Sequence, residues 1–304
     1  MEKIINVFAR HEIKYLLTAE MRKKVLEGIK DRMIPDPHGV STIRNIYYDT
    51  PDYLLIRRSL EKPKYKEKMR LRSYGKPGDD TVVFLEMKKK FDGVVYKRRV
   101  ELKEKDAVSY MDGAIGLEEM KERIVGISTP QIAKEIDYFK SFYGNLRPMV
   151  YLSYDRCAYF STEDESLRIT FDKNIRWSKE DVRLTTDEAG QDLLEKGESL
   201  MEIKTGSALP MWLVDVITKA GARPASFSKY GNAYKAIVEG TTERIAKETA
   251  EEIAEREEKG NDKYIQQPIY GKRTYTDGVY YQPGDSLGTW GGNRLGVLVP
   301  HSPF

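Results

Sequence analysis

In the stretch KYKEKMRLRS (64–73) charged and apolar side chains take turns: Lys66, Lys68, Arg70 and Arg72 share one parity, and Met69 and Leu71 the other. Successive side chains of a β-strand point to opposite faces, so this stretch predicts a strand with a row of cations on one side. The same period of two, bounded by turn residues, predicts strands over 4–17, 43–49, 64–74, 81–90, 94–103, 149–160, 166–173 and 198–205. Their charged faces carry Glu12 with Lys14, Glu86 with Lys88, Lys97 with Arg99, Arg168 with Asp172 and Glu202 with Lys204. Asp49-Thr50-Pro51 is a turn signal, and Phe91-Asp92-Gly93 reads as a hairpin loop.

Helical spacing appears between these strands. Met21, Val25, Ile29 and Met33 recur every four residues behind Thr18, a candidate N-cap, which predicts a helix over 18–33 stopped by Pro35 and Pro37. Residues 104–146 read as helical or irregular, with a helix opened by Thr129-Pro130 and carrying Ile132, Ile136, Phe139 and Tyr143. Pro210 opens another, closed by Gly221, and a last helix is expected over about 228–238. Eight mostly meandering strands, charged on one face and apolar on the other, predict a closed barrel with its polar face inward and helices over the apolar outside. Residues 1–240 would form this domain. From 241 the chain changes to a charged helix, TTERIAKETAEEIAEREEKG, and then a stretch rich in Gly, Tyr and Pro that reads as a peripheral tail.

Composition narrows the chemistry. Across 304 residues 33% are charged and 40% apolar, yet the net charge is only +3, so the segregation of charge carries the information. A single cysteine, Cys157, rules out an intramolecular disulfide and a Cys-based zinc site. The N-terminus has no signal-like apolar region and no run of about 18 apolar residues occurs, so a cytoplasmic protein without a transmembrane segment of its own is expected. No Walker-type loop or nucleophile constellation stands out; Gly75-Lys76-Pro77-Gly78 reads as a turn.

Amphipathic strands with wet outer faces would account for any one of these strands. Wet faces usually mix neutral polar residues with charges, however. Here several strands share the habit, and the opposite faces (Leu71, Val83, Leu85, Met87) are apolar enough to lie under helices. Like charges about 4 Å apart repel by roughly 4 kcal/mol at an effective dielectric near 20, so an enclosed row of Lys and Arg calls for an anionic guest, and polyphosphate fits it. Glu12, Glu86, Glu101, Asp172 and Glu202 sit among these cations. Two readings stay open for them: local salt bridges, or oxygen ligands for Mg²⁺ or Mn²⁺ shared with phosphate. The basic row lacks the interleaved aromatics of a single-strand platform, and no nucleic-acid partner is expected.

The segments FARHEIKYLL, IYYDTPDY, KEKMRLRSYG, VFLEMKKK, MVYLSYDRCAYF, LRITFDKNI, LMEIKTG and SFSKYGNAY cover about 4–238 in this order. They resemble the VTC domain, the polyphosphate polymerase branch of the triphosphate tunnel metalloenzymes. The resemblance implies an α+β fold built on an eight-stranded antiparallel β tunnel with a basic interior. It implies growth of inorganic polyphosphate from ATP with Mn²⁺ or Mg²⁺. By motif position Arg70, Arg72, Lys88 and Arg156 would act on the transferring phosphate, and Lys14, Arg168, Lys204, Ser228 and Lys229 would bind phosphate. Lys97 joins them, although YKRRV allows either register. Lys66 and Lys68 share the face of Arg70 and would gather the polyanion nearer an entrance. Glu202 would be the metal carboxylate, with Glu12 and Glu86 as further metal candidates. The resemblance also implies a membrane-protein partner that receives the product, and a place at the inner face of a membrane. Hydrolytic relatives open with Glu-x-Glu-x-Lys; here the stretch is Arg10-x-Glu12-x-Lys14, and a cation in place of a carboxylate favours the polymerase. Tripolyphosphate or nucleoside triphosphate hydrolysis in the same tunnel, and a non-catalytic polyphosphate-binding module, are the alternatives.

Overall fold

The computed structural model describes residues 11–92, 94–126, 129–187 and 190–242. The expected tail therefore lies outside the described residues from 243 onward, as do Arg10 and the start of the first strand. In chain order the elements are β1 (His11–Leu17), α1 (Ala19–Ile29), β2 (Met33–Pro35), β3 (Ser41–Asp49), α2 (Leu54–Leu60), β4 (Tyr65–Tyr74), β5 (Val82–Phe91) and β6 (Val94–Lys103). Then come α3 (Glu104–Met111), α4 (Leu117–Glu122), α5 (Pro130–Tyr143), β7 (Arg147–Ser161), β8 (Arg168–Ser178), β9 (Gln191–Asp192), β10 (Ser199–Thr205) and α6 (Met211–Lys219). A last helix, α7, covers 229–242.

The architecture is the expected antiparallel-sheet α+β fold. Eight strands follow one another in the order β1-β10-β8-β7-β3-β4-β5-β6, with β2 joined to β7 and β9 to β8. Each of these pairs is antiparallel. Across the inner face the charge of Lys88 on β5 acts on Glu12 of β1 and on Lys204 of β10.

Two local expectations change. The Thr18 hydroxyl does accept the Met21 N–H at 3.2 Å, but the helix stops at Ile29. Met33–Pro35 instead pairs with Tyr159–Ser161 of β7, because the long β7 presents unpaired backbone groups there. The helix α2 forms where the sequence pattern predicts no element. Its signal is Asp49, whose carboxylate accepts the N–H groups of Thr50 and Leu55 at 2.8 Å each and of Ile56 at 3.0 Å. One buried side chain thus ends a strand and caps a helix.

The outer face packs as the alternation predicts. Met69, Leu71, Val83, Leu85 and Met87 are fully buried under α3–α5. On the far side Leu17, Ile169, Met201 and Ile203 lie under α1 and α6. Each such side chain contributes about 2 kcal/mol by leaving water. The inner face holds a surprise. Asn45 stands directly opposite both Arg72 and Leu152, so Leu152 shares the face of the arginines. Leu152, Val150, Ile43 and Leu200 cluster with Phe227, Tyr230 and Ala233. Part of the inner face is therefore apolar and covered by α7, whereas the sequence placed every helix outside.

Candidate functional site

Two ion-pair clusters occupy the inner face. In the first, Arg156 spans Asp172 with Nε 2.6 Å from Oδ1 and Nη2 2.7 Å from Oδ2, and Nη2 also donates to Glu202 at 3.2 Å. Lys229 Nζ sits 2.5 Å from Asp172 and 3.4 Å from Glu202. Lys14 Nζ lies 3.6 Å from Glu202 and 3.3 Å from Glu12, and donates to the Phe227 carbonyl at 3.0 Å. Burial would raise the Glu202 pKa, but Lys229, Lys14 and Arg156 outweigh it and hold the carboxyl well below its usual range. Burial likewise opposes ionisation of Lys229, yet Asp172 and Glu202 raise its pKa.

In the second cluster Glu86, only 2% exposed, accepts from Arg70 Nε at 2.8 Å and pairs with Lys97 at 2.5 Å. Arg72 Nε is 3.9 Å away and donates to Asn45 Oδ1 at 2.9 Å, while its Nη2 donates to the Tyr154 hydroxyl at 3.1 Å. Desolvation raises the Glu86 pKa, but Arg70, Arg72 and Lys97 bring it down to about 2. The register of YKRRV is thereby decided: Lys97 faces inward, and Arg98 faces out to Glu135 at 3.2 Å.

Lys68 lies between the clusters. Its Nζ is 3.4 Å from the Ser228 hydroxyl, which also accepts the Gly231 N–H and so caps α7. Burial first, and then Lys88, Lys66 and Lys14, push the Lys68 pKa down to about 8 despite an opposing contribution from Tyr47. Lys204 is lowered too, chiefly by burial. Lys66 reaches the Ser59 carbonyl at 3.3 Å and feels Lys90 and Lys62, which places it toward one end of the row. Arg168, with a side chain 41% exposed, pairs with Asp36 at 3.7 Å and stacks on Phe160.

Among the described residues no group of three or more His, Cys, Asp or Glu is placed to hold a metal ion. Glu12, Glu86 and Glu202 are therefore not one site. Glu86 is ringed by Arg70, Arg72 and Lys97. Glu12 and Glu202 are neighbouring carboxylates that could hold a divalent cation. They share Lys14, both are held ionised, and the Thr170 hydroxyl, directly across the ladder from Glu202, is buried without a hydrogen-bond partner. Hard divalent cations take such oxygens.

The alternation pattern missed the neutral members of the site. Tyr154 lies under both Arg156 (5.1 Å) and Lys229 (4.5 Å) and binds Arg72. Its shared parity with Arg156 was the available signal. Asn45, Tyr47 and Tyr230 had none, since tyrosine and asparagine suit either face of a strand.

The pattern of the VTC domain matches residues 9–238, and the chain belongs to that family. Vacuolar transporter chaperone complex subunit 4 of Trypanosoma cruzi is 28% identical over 187 residues, covering 53% of this chain and 22% of that protein. The subunit 4 of Schizosaccharomyces pombe is 31% identical over 154 residues, 46% of this chain and 21% of its own length. This chain thus matches about a fifth of each relative. Among solved structures, a putative adenylate cyclase from Bacillus halodurans aligns with a TM-score of 0.45 at 13% identity, covering 72% of this chain and 95% of that one. A putative adenylyl cyclase from Hippeastrum, described as having a dominant triphosphatase activity, aligns with a TM-score of 0.43 at 15% identity over 72% and 92%.

Proposed function

For this member of the VTC domain family we propose polyphosphate synthesis, in which the γ-phosphate of ATP passes to the end of an inorganic polyphosphate chain held on the inner face. One observation carries the reading: Lys14, Arg156 and Lys229 in one cluster, Arg70, Arg72 and Lys97 in the other, and Lys68 between them converge on a covered face, where they outnumber the carboxylates of Glu12, Asp172, Glu202 and Glu86. Two relatives, named as subunits of a vacuolar transporter chaperone complex, support it.

In the proposed step an oxygen of the terminal phosphate forms a bond to the γ-phosphorus. The bond from that phosphorus to the ADP oxygen breaks, and ADP leaves with its electron pair. Such transfers are catalysed mainly by positioning and charge neutralisation. Arg70, Arg72, Lys88 and Arg156 would neutralise the transferring group, with Asp172, Glu86 and Asn45 holding the guanidinium forks in place. Lys14, Lys204, Ser228 and Lys229 would hold phosphates nearby, and Lys66, Lys68, Lys97 and Arg168 would gather them along the row. Glu202 and Glu12 would hold Mn²⁺ or Mg²⁺, which when bound supplies positive charge at phosphate oxygens. A membrane-protein partner would receive the chain, and use of ATP would put the site on the cytoplasmic side. No helix among the described residues is long and apolar enough to cross a membrane.

The experiment is a synthesis assay with purified protein, ATP and Mn²⁺, primed with pyrophosphate and read on gels. Long chains are expected. Free phosphate without chain growth would replace this reading by hydrolysis. Metal-independent polyphosphate binding with no turnover would reduce it to a binding module.

A further inference from the structure

Tyr47 is directly opposite Arg70 on the β3–β4 ladder and therefore shares its inward face. The ring is 8% exposed and stacks on Tyr230 at 4.5 Å and 16°. Tyr230 is itself fixed, because its hydroxyl donates to Asp49 at 2.9 Å and Asp49 is tied to the start of α2. The Tyr47 oxygen accepts from Arg70 Nη1 at 3.3 Å. Its own proton reaches no acceptor among the hydrogen bonds of the described residues.

The surroundings explain what that proton would meet. Lys68, Arg70 and Arg72 face Tyr47 from β4. Tyr230 faces it from α7, and its ladder neighbour on β7 is the apolar Val150. Beyond Arg70 stand Tyr154 on β7 and Glu86 on β5, whose oxygens are engaged by Arg70 and Lys97. A buried donor without an acceptor costs about 1–3 kcal/mol, and the cations around it would attract an anionic one.

Building on the polyphosphate reading above, we infer that Tyr47 is a substrate-binding residue whose hydroxyl donates to a phosphate oxygen held by Arg70, and that this subsite takes phosphate only while the phenol keeps its proton. Burial alone would raise the Tyr47 pKa, but Arg70, Lys68 and Arg72 outweigh it and bring it down to about 8. Above that pH the phenolate loses its donor and becomes an internal anion on Arg70, competing with phosphate. The sign follows by linkage: binding favours the protonated form, so bound phosphate raises the Tyr47 pKa, and affinity falls as pH rises through the free value.

Ultraviolet difference titration of the wild-type protein, with and without tripolyphosphate, tests this by following the tyrosinate band between pH 7 and 10. One tyrosine is expected to ionise near pH 8 in the free protein and to be held protonated by tripolyphosphate. Tyr47→Phe should lack the early band, bind tripolyphosphate about tenfold more weakly at pH 7 by calorimetry, and lose affinity less steeply above pH 8. An early band indifferent to tripolyphosphate, or no early band together with a Tyr47→Phe protein that binds like wild type, overturns the inference. Failure of the wild type to bind tripolyphosphate at all would instead remove the polyphosphate reading on which it rests.

Discussion

Arg156 and Asp172 stand directly opposite each other on β7 and β8 and form a two-pronged ion pair at 2.6 and 2.7 Å, with Asp172 completely buried. A second cation, Lys229 from α7, sits on the same carboxylate at 2.5 Å. One aspartate therefore ties two strands and the covering helix together. Asp172→Asn leaves Arg156 and Lys229 short of negative charge, and unpairing a buried ion typically costs about 3–5 kcal/mol. Here Glu202 softens the loss, so urea unfolding at pH 7 should show a fall of about 3 kcal/mol. Tripolyphosphate should restore part of it, raising the melting temperature more in the variant than in wild type. An unchanged unfolding midpoint would refute this account of Asp172.

Proton uptake should accompany substrate binding. Burial and neighbouring cations bring Lys68 to about 8, and burial with Arg70 and Arg72 brings Lys97 to about 8 against the pull of Glu86. Both are lowered from an ordinary 10.5. Between pH 8 and 10.5 the unfolded chain binds these protons and the folded one does not, so the free protein gains stability from them as pH rises through that window. A bound polyanion restores the charges. Calorimetry with tripolyphosphate at pH 8, in two buffers of different ionisation enthalpy, should show net proton uptake. Buffer-independent heats would contradict it.

Glu86 and Glu202 should behave differently when neutralised. Glu86 is lowered from 4.5 to about 2, so its contribution to stability is fully present above about pH 4.5 and lost as pH falls toward 2. Glu86→Gln should flatten that acid limb in urea titrations. It also releases Arg70 and Lys97, so tripolyphosphate should bind about tenfold more tightly, with the metal dependence of turnover unchanged. Glu202→Gln should instead shift the Mn²⁺ dependence of turnover and leave tripolyphosphate bound. A loss of metal dependence in Glu86→Gln would reverse these two roles.

Asp49 joins α2 to α7 through Tyr230. Asp49→Ala removes a cap and a buried hydrogen bond and should lower stability by about 2–3 kcal/mol. With Tyr230→Phe it should couple by about 1 kcal/mol in a double-mutant cycle of urea unfolding. Strict additivity would separate the two functions of the carboxylate.

Arg72 shows why parity was informative and where it stopped. Alternation placed it beside Arg70 and Lys68 on one face, and it is there, 6% exposed. Its place in the row says nothing of Asn45 and Tyr154, which lie far away in sequence and fix its guanidinium through tertiary pairing. The candidate cations were legible for the same reason: a period of two is a local property of the strand, and the apolar parity must face the outer helices to leave water.

The sequence by itself thus determined which cations share a face within each strand, and the antiparallel α+β architecture. Only the tertiary structure decided how charge is shared among them. It assigned Glu86 to the arginines and Glu202 with Glu12 to Lys14, and it brought α7 onto the inner face to set Lys229 on Asp172. Ladder register and helix docking depend on contacts between residues more than a hundred positions apart, such as Asn45 with Leu152 and Tyr47 with Tyr230. Side-chain periodicity carries no information about separations of that kind.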